Sequence, residues 1–496
     1  MSNSVLWTPA LFGFVGLFLP RRWAGWWAVL GTVVTLGLAI ALLAGFDSGQ
    51  SGLQDTVDVT WISGLGVDYS LGVDGLNVFL IVLTAVLWVA GTAFAAFREQ
   101  ERPHLFFLMM LLAETAVLGA FLAQDLLLFV LFFDLMLVPF YFLFGVWGSD
   151  RLDGPTAPAA TLKMIVYTLI GSLLMLVAAI ATAVIAADGG QITFSIAELS
   201  QHTLSAGSQR WIFCFFAVAF LVKMPAFLLH GWMPDAYRAA PLPALVVFSG
   251  VLAKVGAYGF LRIVLPLFPA ATNHFQEVIL VIAVASILYG SVMAFTQTNV
   301  RLVAGYSSVA QLGFITAGIF ALSADGSDGA VLQMVNHGLV VAPLFLIVAI
   351  LAERSGSEDL TKMGGMAIGA PVLAALFLIV TLATLAMPGS ANFIGEFYIL
   401  NGLFDAKIVF AIVAISGVAM SAYYALRLYQ RTMHNRRPEG LESREIGLRD
   451  GLVLVPLVLC ILGLAFYPQL ILKRTDASVQ QAVAKVAPKE TVAREP

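Results

Sequence analysis

The sequence predicts an all-α polytopic membrane protein of about fourteen transmembrane helices. Three observations carry that prediction. Hydrophobic residues make up 60% of the 496 residues and charged residues only 11%, against roughly 25% charged in a soluble domain. Mean hydropathy is +0.92. Apolar windows of about 20 residues, the length that crosses roughly 30 Å of hydrocarbon, recur from end to end with short polar breaks between them.

The spans fall near 5 to 19, 23 to 46, 76 to 97, 105 to 123, 125 to 147, 160 to 187, 210 to 232, 241 to 265, 275 to 297, 300 to 322, 329 to 352, 371 to 403, 407 to 431 and 451 to 472. The run from 105 to 147 is too long for one crossing, so Ala123, Gln124 and Asp125 must turn a hairpin. The first run has no basic residue before it and Arg21 and Arg22 after it, an order unlike a cleaved signal peptide. It suits a first helix with its amino terminus facing outward.

Basic residues set the topology. Sixteen fall in loops on the side of Arg21, among them Arg98, Arg151, Lys163, Arg301 and Arg427, and five fall on the other: Arg210, Arg262, Lys407, Lys473 and Arg474. Lys485, Lys489 and Arg494 lie in the tail. The bias places both termini on the non-cytoplasmic side of a bacterial-type inner membrane. The stretch from Asp47 to Asp74 agrees, with five aspartates and no Lys or Arg.

Helix breakers interrupt the seventh span at Lys223-Met224-Pro225 and the twelfth at Met387-Pro388-Gly389. Proline removes a backbone donor and opens carbonyls at mid-depth, and interrupted helices in corresponding halves point to a transport site. Spans four to eight and nine to thirteen each form a set of five with the break fourth. The domain reading is therefore 1–104 as an N-terminal three-helix segment, 105–265 and 266–431 as five-helix repeats, and 432–496 as a loop, last span and short polar tail.

Composition excludes other classes. A net charge of −4 gives no basic surface for nucleic acid. Cys214 and Cys460 stand far apart in apolar runs, with no CxxC or metal-spaced Cys/His cluster, and read as small core residues. No cofactor or metal site is expected in this chain, so redox chemistry belongs to a partner.

Ionisable residues inside the spans are the functional hypothesis, because a charge at membrane depth costs at least about 2.5 kcal/mol on insertion scales. Asp134 lies in LFFDLMLVPF, Lys223 in FLVKMPAFLL, Lys254 in GVLAKVGAYG and Glu396 in ANFIGEFYIL. Lys223 stands two residues before Pro225, where it is read as a proton carrier or as a structural cation tied to freed carbonyls. Lys254 is flanked by Gly256 and Gly259, which suits close packing or a small wet cavity. Lys223 is the partner named for Asp134. Glu114, one span earlier, is read equally as a supporting acid and as a structural one. Glu396 follows the second break, as a proton acceptor or as a carboxylate on a helix dipole. His337, in MVNHGLVVAP, suits an intermediate relay or a satisfied core position. His230 and Asp235, in HGWMPDAYRAAP, read as a structural loop.

The segments LVKMPAFLLHGWMPDAYRAAPLPALVVFSGVLAKVGAYGFLRI and RLVAGYSSVAQLGFITAGIF, with MVNHGL behind them, resemble the antiporter-like membrane subunits of respiratory complex I and the related multisubunit cation/proton antiporters. The resemblance implies two inverted five-helix repeats and a central line of protonatable groups and water. Carried over by motif, the acid of the fifth helix falls on Asp134, its lysine partner on Lys223, the central lysine on Lys254, the following histidine on His337 and the exit acid on Glu396, with Glu114 and Gln311 in support. It also implies flavin, iron-sulfur clusters and quinone in partner subunits, and contact with other complex I membrane subunits, through them the peripheral redox arm, and the lipid bilayer. The function implied is proton translocation coupled to NADH:quinone oxidoreduction, with a cation/proton antiporter subunit as the alternative. Two positions depart from the family: Asp134 replaces the usual glutamate, and Gln311 a common histidine. Glutamate at 396, where several branches have lysine, and a tail too short for a long lateral helix point to one branch.

Overall fold

A computed structural model describes residues 1–150, 154–438 and 443–487. Arg151, Lys489 and Arg494 of the charge count lie outside the described residues. Twelve helices among the described residues are long and apolar enough to cross a membrane. They are α2 (Arg21–Ala44), α3 (Val78–Ala96), α4 (Pro103–Leu122), α5 (Leu126–Trp147), α6 (Ala157–Ala187), α7 (Ala206–Lys223), α9 (Leu242–Leu267), α10 (Pro269–Thr296), α11 (Val300–Phe320), α12 (Ala324–Ser355), α14 (Ala391–His434) and α15 (Leu448–Phe466). Shorter helices are α1 (Ser2–Gly16), α8 (Met233–Ala239), α13 (Pro371–Thr384) and α16 (Gln469–Val483).

The difference from fourteen has local causes. The first expected span is the 15-residue α1. The twelfth is divided between the 14-residue α13 and the start of α14. At 1.5 Å per residue the 44 residues of α14 would run about 66 Å, more than one crossing needs, and the helix bends at Lys407 (φ −151°, ψ 72°), the boundary expected between spans twelve and thirteen.

Apolar helices satisfy their own backbone, so polar side chains concentrate at their ends. The hairpin between α4 and α5 turns where expected, and the Asp125 carboxylate accepts from the amides of Leu127 and Leu128, each at 2.9 Å. Asn299 caps α11 in the same way and Ser323 caps α12.

Both interruptions are present as backbone features. Helix α7 ends at Lys223 and the chain turns through Leu228 (φ +71°) before α8; α13 ends at Thr384 and turns through Ala386 (φ +54°) before α14. Trp232 Nε1 donates to the Val222 carbonyl at 3.1 Å and Ser286 Oγ accepts from the Phe227 amide at 2.9 Å, pairing part of the backbone that the first break frees.

The face carrying most arginines is tied by ion pairs. Arg98 at the end of α3 grips Glu353 of α12 at 2.7 Å and Asp450 of α15 at 3.1 Å. Asp235 pairs with Lys163 at 2.7 Å and His230 packs against Tyr289, the structural role expected of that loop. On the opposite face an antiparallel hairpin of a largely exposed β1 (Gln54–Ile62) and a mostly buried β2 (Val67–Val73) pairs Val57 with Leu71 and Val59 with Tyr69. Its turn needs Gly66 (φ +68°), where a Cβ would strike the Ile192 carbonyl.

Two expectations are corrected. Cys460 is exposed and Cys214 is half-buried at the edge of the core, so the cysteines are not both core residues. Residues after the last span are not simply a polar tail. Ile471, Leu472, Thr475, Val479 and Ala482 bury one face of α16 at helical spacing.

Candidate functional site

Lys254 is fully buried in the middle of α9. The helix is not regular there: π-helical turns at Phe248–Leu252 and Phe260–Val264 flank it. Such turns redirect carbonyls from the helical ladder, and the Lys254 ammonium donates to the carbonyl of Ser249, five residues back, at 3.1 Å. A buried cation is thus held by backbone dipole rather than by a carboxylate. The glycines beside it serve close packing: a Cβ at Gly256 would lie 2.9 Å from the Phe220 carbonyl oxygen, and one at Gly259 would enter the Phe220 ring. This contact brings α9 against the end of α7, where Lys223 stands.

Lys223 is buried, and its ammonium lies 4.5 Å from the centre of the Phe133 ring. Among the described residues no ion pair within 4.0 Å joins it to Asp134. Asp134 is half-buried between α5 and α6, within electrostatic reach of Lys223 and of the Ser172 hydroxyl, and its Oδ1 has no hydrogen-bond partner. The expected couple is therefore adjacent but open. Glu114 is fully buried on α4 with both carboxyl oxygens unpartnered.

On its other side α9 meets α12. A Cβ at Gly338 would lie 2.9 Å from the Gly250 carbonyl oxygen, so His337 comes into electrostatic reach of Lys254. His337 Nδ1 is buried without a partner. One turn away on the same face is Gln333, a residue the sequence reading passed over although its i, i+4 relation to His337 was visible in VLQMVNHG.

From Gln333 the polar contacts are explicit. Its Nε2 donates to Gln311 Oε1 at 2.7 Å, and Gln311 Nε2 donates to Glu396 Oε1 at 2.7 Å. Three helices, α12, α11 and α14, each contribute one member. Glu396 Oε2 and the nearby Tyr424 hydroxyl have no partner and are buried, as are both polar atoms of Asn392. Glu396 is the sixth residue of α14, beyond the first turn where a helix dipole stabilises a carboxylate.

Lys223, Lys254, His337, Gln311 and Glu396 thus occupy successive helix contacts, with Asp134 at one end beside the lateral surface. The arrangement sets buried lysines, a histidine and an acid on successive helices, with the neutral donors and acceptors of Gln333 and Gln311 leading to the acid. The family description "NADH:quinone oxidoreductase/Mrp antiporter, TM" matches residues 123–421, which include all five. NADH-quinone oxidoreductase subunit M of Rhodobacter capsulatus is 36% identical over 93% of this chain and 91% of its own length. The chain belongs to the NADH-quinone oxidoreductase subunit M family.

The fold agrees with that membership. The subunit M-like chain superposes on a chain of "Respiratory complex I from Thermus thermophilus with bound NADH" with a TM-score of 0.90 and 28% identity, covering 98% of this chain and 100% of that one. It is also similar in fold to a chain of the Mrp complex from Dietzia sp. DQ12-45-1b, at a TM-score of 0.84 and 21% identity, covering 98% and 99%.

Proposed function

We propose that this chain is a proton-translocating membrane-arm subunit of a respiratory NADH:quinone oxidoreductase. The observation that carries the reading is the bonded series from Gln333 through Gln311 to Glu396, which continues the line of Lys223, Lys254 and His337 across the helices. Flavin, iron-sulfur clusters and quinone belong to partner subunits in this reading, and the chain couples to them through neighbouring membrane subunits. The two interrupted helices, each turning through a left-handed residue, support two inverted five-helix repeats, with both termini on the non-cytoplasmic side.

The open geometry of Asp134 and Lys223 gives the cycle a starting point. When a neighbour draws Asp134 toward Lys223, the pair holds the lysine's proton; when the pair opens, the ammonium is left over an aromatic ring and its proton passes toward Lys254. Burial makes every uncompensated charge in this series costly, so a proton does not rest between sites. From Lys254 it moves by water and His337 to Glu396. Gln311 cannot titrate, and its part is to fix the Glu396 carboxyl by a donated bond.

Purification tests the assignment. Co-isolation with flavin and iron-sulfur subunits, with Lys223→Ala lowering the protons pumped per NADH in inverted vesicles, is the expected result. Isolation with small membrane subunits alone, or pumping unchanged by Lys223→Ala, would replace it with a cation/proton antiporter or a structural spacer respectively.

A further inference from the structure

We propose that the Asp328 carboxyl is the group through which protons leave the line, accepting them from the Glu396 region and giving them to solvent in a cavity at the face opposite Arg98. The inference rests on the conduction reading above. Helices α12 and α14 run backbone to backbone in a fixed register. A Cβ at Gly395 would strike Gln333, one at Gly329 would lie 2.6 Å from the Ile399 amide, and one at Gly402 would strike the Gly326 amide. Along this seam Gln333 and Glu396 are level. Asp328 lies five residues nearer the opening, about 7.5 Å of helix rise.

Asp328 is only 7% exposed, and its Oδ1 is buried with no partner. It nonetheless lines a cavity of about 720 Å³, whose wall also holds Asp325 of α12, Asp405 of α14 and Asp476 of α16. Tyr398 of α14 faces the same carboxylates. Asp405 and Asp476 are exposed, so the acids grade from a buried member to solvent-facing ones. The amino terminus of α12 accounts for acids in its first turn. It does not account for a buried carboxyl oxygen left unpaired, which costs free energy unless water or a proton satisfies it.

The step balances as a proton transfer alone. Glu396 gives up its proton and becomes a carboxylate; water between the unpartnered oxygens of Gln333 and Asp328 passes one on; Asp328 becomes a carboxylic acid and then releases it to cavity water. Negative charge on Asp325, Asp405 and Asp476 draws the released proton toward the surface.

The test uses the assembled complex in inverted vesicles, comparing Asp328→Asn, Asp328→Glu and Glu396→Gln. Expected is a loss of pumping per NADH in Asp328→Asn matching that of Glu396→Gln, with recovery in Asp328→Glu. Wild-type pumping in Asp328→Asn beside impaired Glu396→Gln overturns this inference and leaves the conduction reading standing; wild-type pumping in both overturns the conduction reading itself. If Asp328→Asn fails to assemble, Asp476→Asn on the exposed face of α16 takes its place: the dependence of pumping on pH at the cavity face should shift, and an unchanged profile overturns the inference.

Discussion

The Gln311 side chain donates to Glu396 at 2.7 Å, fixing an acid that no cation pairs with among the described residues. Replacement by leucine keeps the volume but strips one carboxyl oxygen and the Gln333 amide of their partners. Each buried polar group left unpaired costs about 1–3 kcal/mol. Gln311→Leu should therefore lower the melting temperature of the purified complex and reduce pumping per NADH. Gln311→His restores a ring able to bond both neighbours and should retain more pumping than leucine does. Equal behaviour of the two variants would show that the bond is incidental.

Asp134 stops short of Lys223, and a glutamate, which the family resemblance implies at this position, would be longer by one methylene. Asp134→Glu lengthens the side chain by roughly one bond length and should be tolerated, with pumping at or above the native level. Asp134→Asn keeps the shape and removes the charge, and should lose pumping while assembly persists. Proton uptake measured with a pH-sensitive dye in inverted vesicles distinguishes the two.

Glu445 ties the loop before α15 to the start of α13. Partial burial opposes its charge, but amide bonds from Ile446 at 2.7 Å, Val372 at 2.8 Å and Leu373 at 3.1 Å outweigh that, holding its carboxyl below the ordinary carboxylate value of 4.5. A folded value below the unfolded one gives stability that is complete above the unfolded value and disappears as pH falls through the folded one. Protection of the Val372 and Leu373 amides, their hydrogen exchange relative to the intrinsic rate at each pH, should be high at neutral pH, fall only below about pH 4.5, and be low at every pH in Glu445→Ala.

Gly329 lets α12 and α14 touch backbone to backbone. In Gly329→Ala the added methyl meets the Ile399 amide at 2.6 Å and the Gly395 carbonyl at 3.0 Å. Neither atom belongs to a flexible side chain, so the helices must separate, at a cost of about 1–3 kcal/mol. Separation also draws Gln333 away from Gln311. The variant should lose thermal stability and pumping together, while Gly37→Ala, which meets no atom within 4 Å, should change neither.

The sequence made the spans and the buried charges legible because hydrocarbon depth forbids them elsewhere: an apolar run of 20 residues and a lysine in its middle are both strong signals. It did not disclose the π-helical turns around Lys254, which depend on how α9 packs on α7 and α12 rather than on local propensity. The hairpin was also hidden, although Val57, Val59 and Trp61 alternate, because β1 stands largely exposed and only β2 buries an apolar face, through Val67, Leu71 and Val73. Gln333 and Asp328 escaped notice as a neutral residue and a helix-start acid; only the register of α12 against α14 places them in line with Glu396. The open Asp134–Lys223 geometry follows from side-chain reach across two helices, which spacing along the chain does not encode.

Lys254→Ala tests conduction most directly, because the lysine is fully buried and, among the described residues, bonds only a backbone carbonyl. With assembled complex in inverted vesicles, the ratio of protons moved to NADH oxidised should fall, and complex assembly should persist because no carboxylate is left unpaired. A ratio equal to the native one, with assembly intact, would contradict a proton path through this chain.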